Sequence, residues 1–502
     1  MSVHPKMAAE LGKAYCDGMQ TTKDSLDGWG KNRVCAMAKH WQGGGPCEGG
    51  RDAHYPYGKY AVYPGKNFKS HLIPFIEGVF KLDGPTKYAA SIMPYYSVSW
   101  EVDTKDGKNV GNSYNHYIIH DLLREKYGYE GVICSDWGIT QEPEKSIDSF
   151  GGRCYGVENL SEAERHLLAL ENGVDQFGGN SNSKPILEAY HIGCEKYGEV
   201  QMCRRMEQSE VRLLLNMFRC GLFENSYLNP QDSKQIVGCE AYQREGYEAQ
   251  LKSIVMLKNK DVLPIRERKK VYIPNRHIAA RKNFFRMQMP EEELNPVDNT
   301  IADTYFERVS EVSEADAAIL FIESPLSDGY SEADVENGGN GYLPVTLQYR
   351  PYCAEYARKK SIAGGDFRES FIDRTYYQKR NRAANETDLE LVQETKKKMG
   401  SKPVIVCIRM HNPAVLAELE PYADAILVDF GVQQEAVFDM ISGKSEPSGL
   451  LPKDMRTVEE HNEDTPFDYI PYKGSTGNVY DFGFGLNWNG TIHDGRTAVV
   501  IS

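Results

Sequence analysis

One pattern restricts the fold more than any other: short apolar runs alternate with amphipathic stretches, and the runs end in polar residues. Residues 34–38 run into Lys39-His40, 89–93 into Pro94-Tyr95-Tyr96, and 131–135 into Asp136-Trp137; 174–177 carries Asp175. Between and around them, 7–19, 118–126, 161–171 and 207–219 have helical spacing, the last closing at Cys220-Gly221. Glycine there suits a helix end. Strand, helix and strand repeated in this way predict an α/β chain of parallel β-structure with crossover helices, in a barrel or a doubly wound sheet. At the C-terminal edge of such strands the loops converge, so Lys39, His40, Tyr96, Asp136, Trp137 and Asp175 are candidate site residues.

After Asn225 a polar stretch reads as a connection, placed at 226–241. The second half opens with a helical stretch at 242–254 and an apolar run at 254–257. Three strand candidates follow at 317–322, 404–408 and 425–428, with helices at 388–399 and 433–441. This predicts an open α/β sheet with helices on its faces. The segment 326–382, rich in Gly, Tyr and charge, reads as an extended functional loop or lid.

Composition removes several classes of function. In 502 residues, 58 Lys and Arg stand against 72 Asp and Glu, a net charge of −14, which disfavours a groove for nucleic acid. The 31 Tyr, 18 Phe and 5 Trp point to a chain that buries cores rather than one that stays disordered. The longest apolar runs, 315–322 and 403–408, fall well short of the ~20 residues a bilayer demands. Eleven cysteines without CxxC pairing and an N-terminus without a secretory h-region predict a cytoplasmic setting with free thiols.

The strongest chemical signal is Gly131-Val132-Ile133-Cys134-Ser135-Asp136-Trp137. A carboxylate at the tip of a buried strand can form an ester at a sugar's anomeric carbon, and an indole beside it can stack on the ring. Spacing alone leaves open that Asp136 merely caps the next helix.

Ser135-Asp136-Trp137 in this setting resembles the nucleophile motif of family 3 glycoside hydrolases. Five further stretches resemble that family in order. They are Lys39-His40-Trp41-Gln42-Gly43-Gly44-Gly45; Leu122-Leu123-Arg124-Glu125 before Gly128-Tyr129-Glu130-Gly131; Gly221-Leu222-Phe223-Glu224; Ser253-Ile254-Val255-Met256-Leu257-Lys258-Asn259 with Leu263-Pro264; and Ser448-Gly449-Leu450-Leu451-Pro452 with Asp481-Phe482-Gly483-Phe484-Gly485-Leu486. The resemblance implies a (partial) TIM-type β/α barrel followed by an α/β sandwich domain. Its C-terminal part of the barrel would be 1–225, the linker 226–241, the sandwich 242–490 and a tail 491–502.

It also implies a retaining exo-β-glycosidase acting on terminal β-D-glucosyl residues, with β-N-acetylglucosaminidase or β-xylosidase activity as alternatives. Asp136 would be the nucleophile, Lys39 and His40 would bind sugar hydroxyls, Tyr96 would orient the nucleophile and Trp137 would line the subsite. Retention requires a second carboxyl about 5–5.5 Å from the first. In β-glucosidase-like members it comes from the sandwich domain, after an early strand; Glu332 lies at that place, with Glu369 and Glu323 as competitors. Asp52-Ala53-His54 resembles the Asp-x-His dyad of the family's β-N-acetylglucosaminidases, which makes His54 the rival acid/base. That assignment would favour N-acetylglucosamine and admit phosphate as acceptor. The 12 His are expected to form no HxxxH or HxH cluster with carboxylates at ligand spacing, and no metal or organic cofactor is expected.

The matched positions begin at His4-Pro5, which resembles the middle of the family's barrel. Only four strands are legible before the linker, against about eight in a full barrel. The expectation is therefore a second chain or a homo-oligomer completing the barrel, or else a fragment. A sugar-binding subunit that is catalytically silent without its partner is the reading from another class.

Overall fold

The computed structural model describes residues 4–453, 472–473 and 479–497. Residues 498–502 of the expected tail lie outside the described residues.

The first helix, Pro5–Gln20, starts where His4 Nδ1 accepts the Met7 amide at 3.3 Å and proline sits at the entry, where a missing N–H costs nothing. Its last residue, Gln20, is fully buried: its amide nitrogen donates to Tyr88 O at 2.8 Å, while its oxygen accepts Ala36 N and Ala90 N. One side chain thus holds together the entries of the first two inner strands. Those strands, Met37–Trp41 and Ser91–Pro94, pair in parallel, and Ser91–Pro94 pairs in turn with Val132–Ile133. The first strand begins later than the apolar run 34–38 suggested, because pairing continues through Lys39 opposite Met93. The expected fourth strand is reduced to one parallel bridge, Cys134 to Gln176.

Ser183–Tyr197 is a helix that the sequence reading left unassigned; Ala189 and Gly193 bury against Leu167 and Met202. The connection is itself partly helical, at Pro230–Ile236.

The second half is a sheet of eight strands. Its order is Glu307–Val309, Lys270–Tyr272, Ala317–Glu323, Val404–Arg409, Ala425–Asp429, Val255–Asn259, Leu486–Asn487, Gly490–Thr491; the first five run parallel and the last three join by antiparallel pairing. Alternate side chains separate cleanly to its two faces. Ala318, Leu320 and Ile322 pack with Leu389 and Val392 of the helix Thr387–Met399, whereas Ala317 and Ile319 pack with Val437 and Phe438 of the helix Gln434–Ser442. The molecule is thus a partial β/α barrel followed by an α/β sandwich domain.

Segment 326–382 does not hang free as a lid. The Arg51 guanidinium, buried between the rings of Tyr342 and Tyr376 (5.0 and 4.6 Å), donates to Gly329 O and Leu343 O. Glu48 accepts the amides of Ile362 and Ala363, and Lys59 pairs with Asp366 at 2.8 Å. Burial opposes the charge on Asp366, but Arg368 and Lys59 outweigh it and hold that carboxyl well below its usual range.

Among the described residues, Met37–Trp41 is paired along one edge alone. Nearby, the long helix Glu199–Arg219 buries only Met202 and Ser209, leaving Val211, Leu214, Leu215 and Phe218 exposed. No helix among the described residues is long and apolar enough to cross a membrane.

Candidate active site

Asp136 lies three residues beyond the strand Val132–Ile133, and its turn is held from behind. Ser135 N donates to Gln176 O at 2.8 Å, and Ser135 Oγ accepts Gly178 N at 3.0 Å. Gly179, at φ +64°, carries the Trp137 indole so closely that a Cβ there would sit 2.0 Å from its ring. The indole is 50% exposed and Asp136 only 5%. Asp136 Oδ1 accepts the Trp137 amide at 2.8 Å; Oδ2, cut off from solvent, is faced by His40 Nε2 at 3.3 Å. Burial pushes the Tyr96 hydroxyl above its usual range, and the adjacent Asp136 carboxylate adds to this.

Burial also drives His40 down to about 4, against the pull of Asp136 and with help from the Lys39 charge. His40 is therefore a neutral imidazole at pH 7. Unfolded, it would titrate near about 6.5, so protonation favours the unfolded chain: its contribution is complete above that pH and is lost as pH falls toward 4. We expect wild type to lose up to about 3 kcal/mol more than His40→Gln between these limits, as read from melting curves. Parallel pH profiles for the two would contradict this.

Beyond His40 lies a second cluster. Asp52 Oδ1 accepts His54 Nδ1 at 2.7 Å, the His54 amide at 2.9 Å and the Tyr95 hydroxyl at 2.9 Å. Burial would raise Asp52, but these donors prevail and hold it below the usual carboxylate range. Nδ1 of His54 is committed to Asp52, and its ring lies 5.0 Å from that of Tyr96 and 5.2 Å from that of Phe284. Lys39 stands exposed at the rim.

The carboxylates of the second domain are placed differently. Glu332 is 52% exposed, accepts Ser146 Oγ at 3.1 Å and pairs with Lys282 at 2.9 Å. Glu369 is buried against Arg374 and Tyr342. Glu323 is held at about 2 by His411, with burial opposing and Arg276 assisting. Glu369 and Glu323 are thus occupied as ion-pair anchors.

Asp175 does not belong to the site. Its carboxylate is fully buried behind the strand, taking Arg124 at 2.6 Å, Arg212 at 3.1 Å, Ser209 at 2.8 Å and the Ile133 amide at 3.0 Å.

Three residues that the sequence did not single out complete the pocket. Arg153 is buried, donates to His54 O and Trp137 O, and lies over the rings of Tyr96 and Phe150 at 4.7 and 4.2 Å. Phe284 and Phe285 come from a hairpin of the second domain, Arg281–Lys282 with Gln288–Met289, and pack on Phe150. Lys282 and Arg286 fix that hairpin to Asp148, each at 2.6 Å. No local signal marks the two phenylalanines, because the contact joins residues far apart in the chain.

A buried carboxylate at a strand tip, with a neutral imidazole against it and an exposed indole beside it, is the arrangement of a carbohydrate site. Residues 1–214 match the family model described as Glycosyl hydrolase family 3 N terminal domain, and 254–488 match the Glycosyl hydrolase family 3 C-terminal domain. The chain belongs to glycoside hydrolase family 3. It is 31% identical over 469 residues to beta-glucosidase C of Emericella nidulans, covering 91% of this chain and 62% of that protein. It is 29% identical over 501 residues to the periplasmic beta-glucosidase/beta-xylosidase of Dickeya chrysanthemi, covering 96% and 64%. A beta-glucosidase from Listeria innocua in complex with isofagomine has the same fold, with a TM-score of 0.61 at 19% identity, over 97% of this chain and 63% of that one. The chain thus spans somewhat less than two thirds of the length of these relatives.

Proposed function

We propose that the Asp136 pocket hydrolyses terminal β-glycosides with retention, β-D-glucosides first and β-xylosides as the nearest alternative, through a covalent glycosyl ester on Asp136. The observation that carries this is the Asp136 carboxylate: withdrawn from solvent, approached by a neutral His40, and followed in the chain by the half-exposed Trp137 indole. Relatives named as beta-glucosidase and beta-glucosidase/beta-xylosidase support that substrate class. His40, Lys39 and Tyr96 would hold sugar hydroxyls and the carboxylate in register, and Arg153, lying over the Tyr96 ring, would hold that ring in place. A reducing compartment such as the cytoplasm fits eleven cysteines that all stand as thiols.

For proton transfer the Asp52–His54 dyad is favoured over Glu332, which brings terminal β-N-acetylglucosaminides in beside the β-glucosides as candidate substrates. It stacks into the same aromatic cluster as Tyr96, whereas Glu332 is spent on Lys282 and Ser146. His54→Ala is expected to lower kcat by about 10²–10⁴-fold on substrates with poor leaving groups, with azide restoring turnover of an activated aryl glycoside. Glu332→Ala should change kcat less than tenfold; the reverse pattern would assign the role to Glu332.

A second reading rests on the one-sided strand Met37–Trp41 and the exposed apolar row of Glu199–Arg219. Further barrel strands, from a second chain or another copy, would cover both, and the chain alone would then bind sugar without turning it over. A panel of nitrophenyl glycosides, assayed with the purified chain alone and with any co-purifying protein, separates the two. Turnover by a compact monomer of the chain would end the second reading.

A further inference from the structure

Outside the pocket, one cluster of metal-ligating groups is unexplained by the chemistry above. His116 and His120 stand one turn apart around the helix Tyr117–Lys126, with their rings stacked at 4.5 Å, and Asp121 adjoins both. Asp121 Oδ1 lies 3.5 Å from His116 Nε2 and 3.1 Å from His120 Nδ1. The sequence carries His116-x-x-x-His120-Asp121, which overturns the expectation that the histidines form no HxxxH cluster with carboxylates.

We propose that His116, His120 and Asp121 form a binding site for a borderline divalent cation of the zinc type, with a fourth position left to water. Four features carry the proposal. With ligand bonds of about 2.0–2.1 Å, donor atoms around a tetrahedral zinc lie about 3.4 Å apart, and the two contacts at Asp121 Oδ1 match that edge. All three donors lie within 4.8 Å of one another. His116 is already oriented: its Nδ1 donates to Asn172 Oδ1 at 3.1 Å, and Asn172 is 97% buried, so Nε2 is the nitrogen left to bind a metal. The Lys105 ammonium takes the other carboxylate oxygen, Oδ2, at 2.9 Å, leaving Oδ1 to the cation.

A bound cation would join Asn172, the last residue of helix Glu162–Asn172, to the helix preceding the Asp136 strand. The ligands lie partly exposed, so a cation reaches them from solvent without opening the core.

The test is titration of the full chain, stripped with EDTA, by zinc in a calorimeter and by cobalt in the visible spectrum. One zinc per chain is expected, weakened at least tenfold by His116→Ala or His120→Gln and abolished by the two together. Asn172→Ala, which removes only the orienting partner, should weaken binding by about tenfold. Cobalt should give a d–d spectrum free of thiolate charge-transfer. Absence of binding, binding unchanged in the double variant, or a thiolate band from the cysteines would each overturn the proposal. Circular dichroism and melting of each variant separate loss of ligand from loss of fold.

Discussion

Asp136→Asn is expected to lower glycoside turnover by about four orders of magnitude, because an amide cannot form the glycosyl ester on which the proposed double displacement depends. The fold should survive. Asp136 accepts a hydrogen bond from its own neighbour's amide and touches an uncharged His40, and the buried Arg153 guanidinium keeps its own bonds to His54 O and Trp137 O when that charge is removed. Melting at or above the wild-type temperature is therefore expected alongside the kinetic loss. Labelling with a 2-fluoro glycoside should place the adduct on the peptide that carries Asp136 in wild type and nowhere in the variant. Label on another carboxylate, or turnover by the variant within a hundredfold of wild type, would overturn the assignment.

Asp175→Ala should do the opposite: destabilise severely, by about 3–5 kcal/mol, and affect catalysis only through the folded fraction. The carboxylate is wholly buried and faces Arg124, Arg205 and Arg212, with Arg205 Nη2 at 3.7 Å and the others closer. Burial already pushes the Arg124 and Arg205 guanidiniums down, with Asp175 opposing; without it three cations would face one another in a water-poor space. Asp175 also accepts the Ile133 amide, so the strand that presents Asp136 would lose a tether. A melting temperature lowered by about 10 °C or more is expected for a domain of this size. A variant that melted with wild type yet lost activity would return Asp175 to the site.

The contrast between these two aspartates shows what the sequence could convey. Asp136 follows an apolar run and Asp175 sits within one, and both read as strand-end groups. What separates them is the face to which the side chain turns, and a run as short as 174–177 does not establish a register. Asp175 turns outward to arginines on two helices, one of them, Glu199–Arg219, longer than its periodicity suggested. By contrast, the strands of the second sheet were plain, because six or seven consecutive β-favouring residues buried on both faces have few other solutions.

Long-range pairing was the main thing hidden. Glu369 looked like any carboxylate in a charged loop, and only the fold brings Arg374 and Tyr342 around it. Segment 326–382 read as a lid for the same reason: nothing in its composition reveals that Arg51 and Glu48 grip it. Arg153 carries no signal in the sequence because a lone arginine has no spacing, although it is buried between Tyr96 and Phe150 beside the candidate site.

The hairpin that carries Phe284 and Phe285 gives the molecule an unequal division of labour. The carboxylate proposed as nucleophile and its imidazole lie in one half of the chain, but the phenylalanines that pack on Phe150 and His54 beside them come from the other, and on the proposed reading a departing group would rest there. Exchanging sandwich domains between relatives would thus transplant leaving-group preference while the bond-breaking apparatus stayed as it was. Variation in the two halves can then be selected separately, one for the chemistry and the other for what is being cut away.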